Sequence, residues 1–157
     1  MVYRLGFFKD VKLEEISSYT FMLLYKSHVG PYHQILEDLQ SVEVWAKKNK
    51  IDCEKTFGEF LDNPDQTPVE RLRSNVGCIV TEKLVLTADD PVQFKTMEHS
   101  SFLLATFEGS PAIGPMKVYP KAMHWAQKNK VEFQQGVIEV YTVEDDNVTT
   151  EFFFPIK

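Results

Sequence analysis

Glu139 and Tyr141 stand one residue apart in the run VIEVYT at 137–142, whose alternation of apolar and polar residues predicts a β-strand. A period of two puts Val137, Glu139, Tyr141 and Val143 on one side of that strand and Ile138 and Val140 on the other. A carboxylate with apolar and aromatic neighbours has two uses. Together with ring faces it attracts a cationic or polarised centre, and at a suitable pKa it takes a proton as a general base. Glu59 repeats the pattern in FGEFLD at 57–62, flanked by Phe57 and Leu61 on its own side. If Ile138 and Val140 pack beneath helices, Glu139 lies on the open face of a sheet, beside the Phe-rich run 152–154. The ordinary alternative is a solvated strand carboxylate that titrates near ~4.3.

Other reactive residues give less. His28 and His33 flank Gly30-Pro31-Tyr32 without a carboxylate or cysteine beside them, which predicts structural histidines rather than a metal site. His99 stands alone, and His124 belongs to a helix surface. Cys53 and Cys78 are far apart and lack Cys-x-x-Cys spacing, so they read as reduced thiols in or near the core. Nucleophile elbows, phosphate-binding loops and zinc-protease signatures do not occur in the sequence, and no cofactor is expected. Arg71 and Arg73 have Asp62 and Asp65 as ordinary ion-pair partners.

The elements that must position these groups follow from an internal repeat. WAKKNKID at 45–52 matches WAQKNKVE at 125–132, an offset of 80 with five identities in the first six positions. At that offset Leu23 and Leu24 fall on Leu103 and Leu104, and Glu59 falls on Glu139. Each unit reads as strand, helix, strand, strand. In the first, YTFMLLYKSHV is a buried strand ended by Gly30-Pro31, and Ile35, Leu39, Val42 and Ala46 mark a helix. Strands around KTFGEFL and NVGCIVT follow, separated by DNPDQTP. In the second, SFLLATF leads to a helix with Tyr119, Ala122, Trp125 and Ala126 on its apolar face, where Pro120 starts or kinks the helix. GVIEVYTV and TTEFFFPI close the chain across the turn Glu144-Asp145-Asp146-Asn147. VKLEEI and QFKTMEH are expected as additional strands. The fold class is α+β: one domain over 1–157, with repeats at about 11–81 and 93–157 and an antiparallel sheet carrying both helices on one face.

Composition agrees with one packed domain. The chain has 157 residues, 43% of them apolar, enough for a core without metals or disulfides. Seventeen basic against twenty-three acidic residues give a net charge of −6, with no basic stretch to track phosphates, so nucleic acid is not an expected partner. The absence of an 18-residue apolar run or a leader pattern predicts a soluble, cytoplasmic chain. The apolar VYRLGFF leaves open an anchor preceding Met1 in a longer protein.

YKSHVGPY at 25–32, FLDNPDQTPVERLRSNVGCIV at 60–80, VIEVYTVED at 137–145 and the terminal FFFPIK together resemble the GyrI-like small-molecule-binding domains, including the effector modules of AraC-type and MerR-type regulators. YKSHVGPY, the DNP segment at 62–64, VYP at 118–120 and IEVYTVED at 138–145 also resemble the branch of that family found in an endoplasmic-reticulum autophagy receptor. The resemblance implies two pseudo-twofold strand-helix-strand-strand units with a ligand groove between them. That groove would be lined by aromatics, here Tyr32, Phe107, Trp125 and Phe153, and would hold a Glu that meets lipophilic or cationic compounds. Glu139 and Tyr141 match that position, with Glu59 as a second carboxylate. Some relatives look like hydrolases of cyclopropane-containing genotoxic compounds, which would make Glu139 the general base. Two departures blur the substrate class: relatives more often carry an uncharged residue at Glu59, and many have a His where Glu108 precedes Gly109. The leading expectation is a non-enzymatic receptor for a lipophilic molecule, cationic or neutral. The alternatives are that hydrolase and a protein-interaction module such as a gyrase inhibitor.

Overall fold

The computed structural model of the chain describes residue 6 and residues 8–157. Most of the apolar terminus VYRLGFF, and the expectation attached to it, therefore lies outside the described residues. The elements in order are β1 (Lys12–Val29), α1 (Leu36–Lys48), β2 (Lys55–Phe60), β3 (Arg73–Ile79), β4 (Gln93–Glu108), α2 (Gly114–Asn129), β5 (Val137–Glu144) and β6 (Asn147–Pro155). Short 3-10 turns at Tyr32–Gln34 and Val69–Arg71 complete them. This is an α+β fold of antiparallel strands with two helices, and the order β-α-β-β occurs twice. Among the described residues no helix is long and apolar enough to cross a membrane.

The segments VKLEEI and QFKTMEH are not separate strands. They form the first halves of β1 and β4, which run for 18 and 16 residues. Ser17-Ser18-Tyr19 and His99-Ser100-Ser101 contain neither Gly nor Pro, so nothing interrupts the extended backbone. Pro120 does not start α2. The helix begins at Gly114 with Pro115 in its first turn, and Pro120 lies inside it with its ring on the exposed side.

The chain divides into two compact units, Thr20–Glu98 and the pair Met1–Tyr19 with His99–Lys157. In the first, β3 pairs with both β1 and β2. Val42 and Ala46, one helical turn apart on α1, pack with Leu24, Cys78, Val80 and Val92. In the second, β6 pairs with both β4 and β5. Along α2 the buried residues Gly114, Val118, Ala122 and Ala126 form a line of small side chains. That line lets the helix settle closely on Leu103, Ala105, Phe107, Phe152 and Phe154. A Cβ added at Gly114 would stand 3.1 Å from the Phe152 ring, which measures how close the approach is.

The repeated Trp-Ala-x-Lys-Asn-Lys builds the same helix end twice. Lys50 (φ 57°) and Lys130 (φ 55°) both take the left-handed conformation. The amides of Ile51 and Val131 reach back to the carbonyls of Ala46 and Ala126 at 2.9 and 3.0 Å. Asn49 and Asn129 each donate a side-chain hydrogen bond of 2.8 Å to the carbonyl of Trp45 and Trp125. These bonds satisfy carbonyls that a helix end leaves without partners. The β5–β6 hairpin turns at Asp145 (φ 47°) and Asp146 (φ 65°). Positive φ at both central residues is the signature of a two-residue turn matched to strand twist.

Cys53 and Cys78 are joined in a disulfide, contrary to the reading of two reduced thiols. Spacing along the chain conceals the reason. Thr56 pairs with Cys78 across β2 and β3, so the chain entering β2 passes Cys78, and the two Cα atoms lie 5.2 Å apart. That separation falls within the usual disulfide range. The bridge closes a segment of 25 residues and lies against the α1 core.

Candidate functional site

Glu139 sits near the middle of β5, paired across the ladder with Phe152, and Tyr141 is paired with Thr150. Directly paired residues project to the same side of a sheet. Phe152 packs with Val118 and Ala122, and its ring meets Tyr119 of α2 edge-on at 6.2 Å. Glu139 and Tyr141 therefore face α2, and the expectation that Glu139 lies on an open face is corrected. Alternation put these two side chains together, but it did not show which side the helix would cover. Phe152 and Phe154 rather than Phe153 form the apolar layer under α2.

Glu139 is 7% exposed. The Tyr141 hydroxyl donates to its Oε2 at 2.6 Å, and among the described residues no cation pairs with it. Burial penalises the charged form and pushes the carboxyl up to about 7, while the Tyr141 bond favours the carboxylate and works the other way. Burial, with the adjoining carboxylate, also pushes the Tyr141 phenol well above its ordinary range, so Tyr141 remains a hydrogen-bond donor at neutral pH. The outcome is a buried carboxyl poised between its two forms in an aromatic layer.

Phe107 and Trp125 belong to that layer. Phe107 is fully buried and pairs with Thr150, and Trp125 is half-buried against the same cluster. Phe153 does not join them. It is paired with Ile138 and Leu104, points to the other side of β6, and packs against Tyr19 and Phe102 at 5.3 and 5.8 Å.

Glu59 and Tyr32 belong to the other unit and have internal partners. Glu59 is 4% exposed and accepts from Lys95 Nζ at 2.6 Å and from Asn75 Nδ2 at 2.8 Å. Asn75 is held in turn by Ser27 at 2.8 Å, and Lys95 lies 5.0 Å from the centre of the Tyr25 ring. Glu59 pairs with Asn75, whereas the α1-facing Cys78 pairs with Thr56, so Glu59 projects away from α1. Glu139 projects toward its helix. The two carboxylates are thus not equivalent positions. The offset of 80 holds through the helix caps and slips by an odd number between β2 and β5, which puts Glu59 and Glu139 on opposite sides relative to their helices. Tyr32 closes the base of the β2–β3 hairpin. Its hydroxyl donates to the Asp62 carbonyl at 2.7 Å and accepts from the Asp62 amide at 3.0 Å, and its ring meets Phe60 edge-on at 4.8 Å.

His28, expected to have no carboxylate beside it, has one from the first turns of α1. His28 Nδ1 meets the Asp38 carboxylate at 2.8 Å, tying β1 to α1. Arg73 pairs through two nitrogens with Asp62, at 2.9 and 2.8 Å. The sequence reading missed Lys95 and Asn75 as partners of Glu59, and Thr150 as a neighbour of Tyr141. The ladder registers set Asn75 opposite Glu59 and Thr150 opposite Tyr141, while Lys95 reaches Glu59 by its side chain from β4.

The order β-α-β-β twice, with a buried carboxyl in an aromatic layer that no cation pairs with among the described residues, characterises this α+β domain. The chain belongs to the GyrI-like family: the model of the GyrI-like small molecule binding domain matches residues 10–157. Solved structures show the same fold. The EcmrR C-terminal domain is 15% identical with a TM-score of 0.66, over 94% of this chain and 97% of that one. SAV2435 bound to tetraphenylphosphonium is 13% identical with a TM-score of 0.54, over 94% of each chain. A hydrolase from Listeria innocua is 11% identical with a TM-score of 0.59, over 93% of this chain and 92% of that one. The chain spans 57% of the EcmrR chain in its DNA complex. No curated protein sequence matches it.

Proposed function

We propose that this domain binds a lipophilic organic cation, with Glu139 as the countercharge and Tyr141 holding the carboxylate. The supporting observation is the carboxyl itself, almost fully buried, hydrogen-bonded by one phenol and unpaired with any cation among the described residues. A cation that brings its own apolar surface offsets the desolvation of the carboxylate, and aromatic faces add to the attraction. Phe107, Trp125, Tyr119 and Phe152 supply the apolar surround. SAV2435, which shares the fold, was solved with tetraphenylphosphonium, a ligand of this class. Glu59 is assigned no ligand role, because Lys95 already neutralises it. Calorimetric titration with tetraphenylphosphonium tests the reading. Micromolar binding that weakens at least tenfold in Glu139→Gln supports it, and equal affinity in both proteins refutes it.

The second reading is hydrolysis with Glu139 as general base. A carboxyl held at about 7 suits proton abstraction at neutral pH, and one protein with this fold is a hydrolase. Turnover of a cyclopropane-bearing electrophile that survives Glu139→Gln removes Glu139 from that role.

A further inference from the structure

Thr150 is 1% exposed, and its Oγ1 has no hydrogen-bond partner among the described residues. A buried hydroxyl without a partner is costly and calls for an explanation. Thr150 is paired with Tyr141 on β5 and with Phe107 on β4, so its side chain projects into the layer shared by Glu139, Phe107 and α2. Directly paired Cβ atoms lie about 5 Å apart and diagonal neighbours about 7–8 Å. The Thr150 hydroxyl is therefore one step along the ladder from the Glu139 carboxyl, on the same face. The Tyr141 phenol between them already donates to Glu139.

Resting on the cation-binding reading above, we infer that Thr150 is a second polar contact of the same site. It selects cations that also carry a hydroxyl, ether or carbonyl oxygen a few bonds from the charged nitrogen. Glu139 would take the ammonium centre, and Thr150 Oγ1 would donate to the oxygen of the ligand or accept from its hydroxyl. Such a contact discriminates well, because an analogue lacking the oxygen leaves the buried threonine as unpartnered as before. Amphiphilic amino alcohols fit both contacts. A phosphonium with four hydrocarbon arms fits only the first.

The experiment uses the whole chain, with Thr150→Val as a near-isosteric change. Calorimetry compares three probes: an aryl-alkyl tertiary amine with one hydroxyl on its chain, its deoxy counterpart, and tetraphenylphosphonium. The hydroxylated amine is expected to bind the native protein about tenfold more tightly than the deoxy amine. In Thr150→Val that ratio should fall to about one, with tetraphenylphosphonium affinity unchanged. Without ligand, Thr150→Val should melt about 2–4 °C higher, since it removes an unpaired buried hydroxyl. Three outcomes overturn the inference while leaving cation binding intact: no preference for the hydroxylated amine in the native protein, a preference that persists in Thr150→Val, or a lower melting temperature in that variant. If none of the three probes binds the native protein, the cation-binding reading itself fails and the inference falls with it.

Discussion

The Tyr141 hydroxyl donates a 2.6 Å hydrogen bond to the Glu139 carboxylate from two residues further along the same strand, beneath α2. Strand periodicity places the two groups side by side, and the helix excludes the water that would otherwise hold the charge. The balance between Tyr141, which favours the carboxylate, and burial, which opposes it, governs the behaviour of the site.

The first consequence is a pH dependence. Glu139 has its folded-state pKa raised from 4.5 to about 7, so between those values the folded protein holds a proton that the unfolded chain releases. Stability from this group is fully present below about 4.5 and is lost as pH rises through 7, by about 3 kcal/mol in all. Urea unfolding of the native protein and Glu139→Gln from pH 4.5 to 8 checks this. The variant should become the more stable of the two toward pH 8. Cation affinity runs the other way, rising as pH passes through 7 and the carboxylate forms.

Tyr141→Phe removes the one side-chain donor to that carboxylate among the described residues. The Glu139 titration should move further upward, and tetraphenylphosphonium affinity at pH 7 should fall about tenfold, in line with about 1.5–3 kcal/mol for a hydrogen bond to a charged group. Carboxyl chemical shifts followed by NMR read the titration directly.

The Glu59–Lys95 pair is expected to be structural. Glu59→Gln leaves the Lys95 ammonium, 31% exposed, without its countercharge and should cost about 2–3 kcal/mol. Adding Lys95→Met should recover most of that loss, and a double-mutant cycle in urea gives the coupling. Cation binding should be unchanged throughout.

Closing a 25-residue segment, the Cys53–Cys78 bridge should contribute about 3–4 kcal/mol through the unfolded chain. Dithiothreitol should lower the melting temperature of the native protein. Cys53→Ala should melt low with or without reductant.

Lys130 holds a left-handed φ of 55° that costs a residue bearing a Cβ about 1 kcal/mol. Lys130→Gly should therefore stabilise the protein by about 0.5–1 kcal/mol. Lys128→Gly, two residues earlier and inside α2, should destabilise by about 1 kcal/mol. Paired thermal melts distinguish the two.

By itself the sequence determined what depends on neighbours within a turn or a strand: the order β-α-β-β twice, the helix ends at Asn49 and Asn129, the Asp145-Asp146 turn, and Glu139 beside Tyr141. These follow from periods of 2 and 3.6 and from local capping, which need no distant partner. Tertiary structure alone decided what depends on register and sidedness. Which face of β5 the helix covers is a packing outcome, and alternation is silent about it. An odd slip between the strands separated Glu59 from Glu139 even though the helices keep the offset of 80. Ladder pairing brought Cys53 to Cys78, and Lys95 reached Glu59 from 36 residues away. The same pairing set an unpartnered Thr150 hydroxyl beside Tyr141. Contacts between residues so far apart in sequence arise only once the strands are in place, because the free energy that selects a register comes from burying one whole face of a sheet.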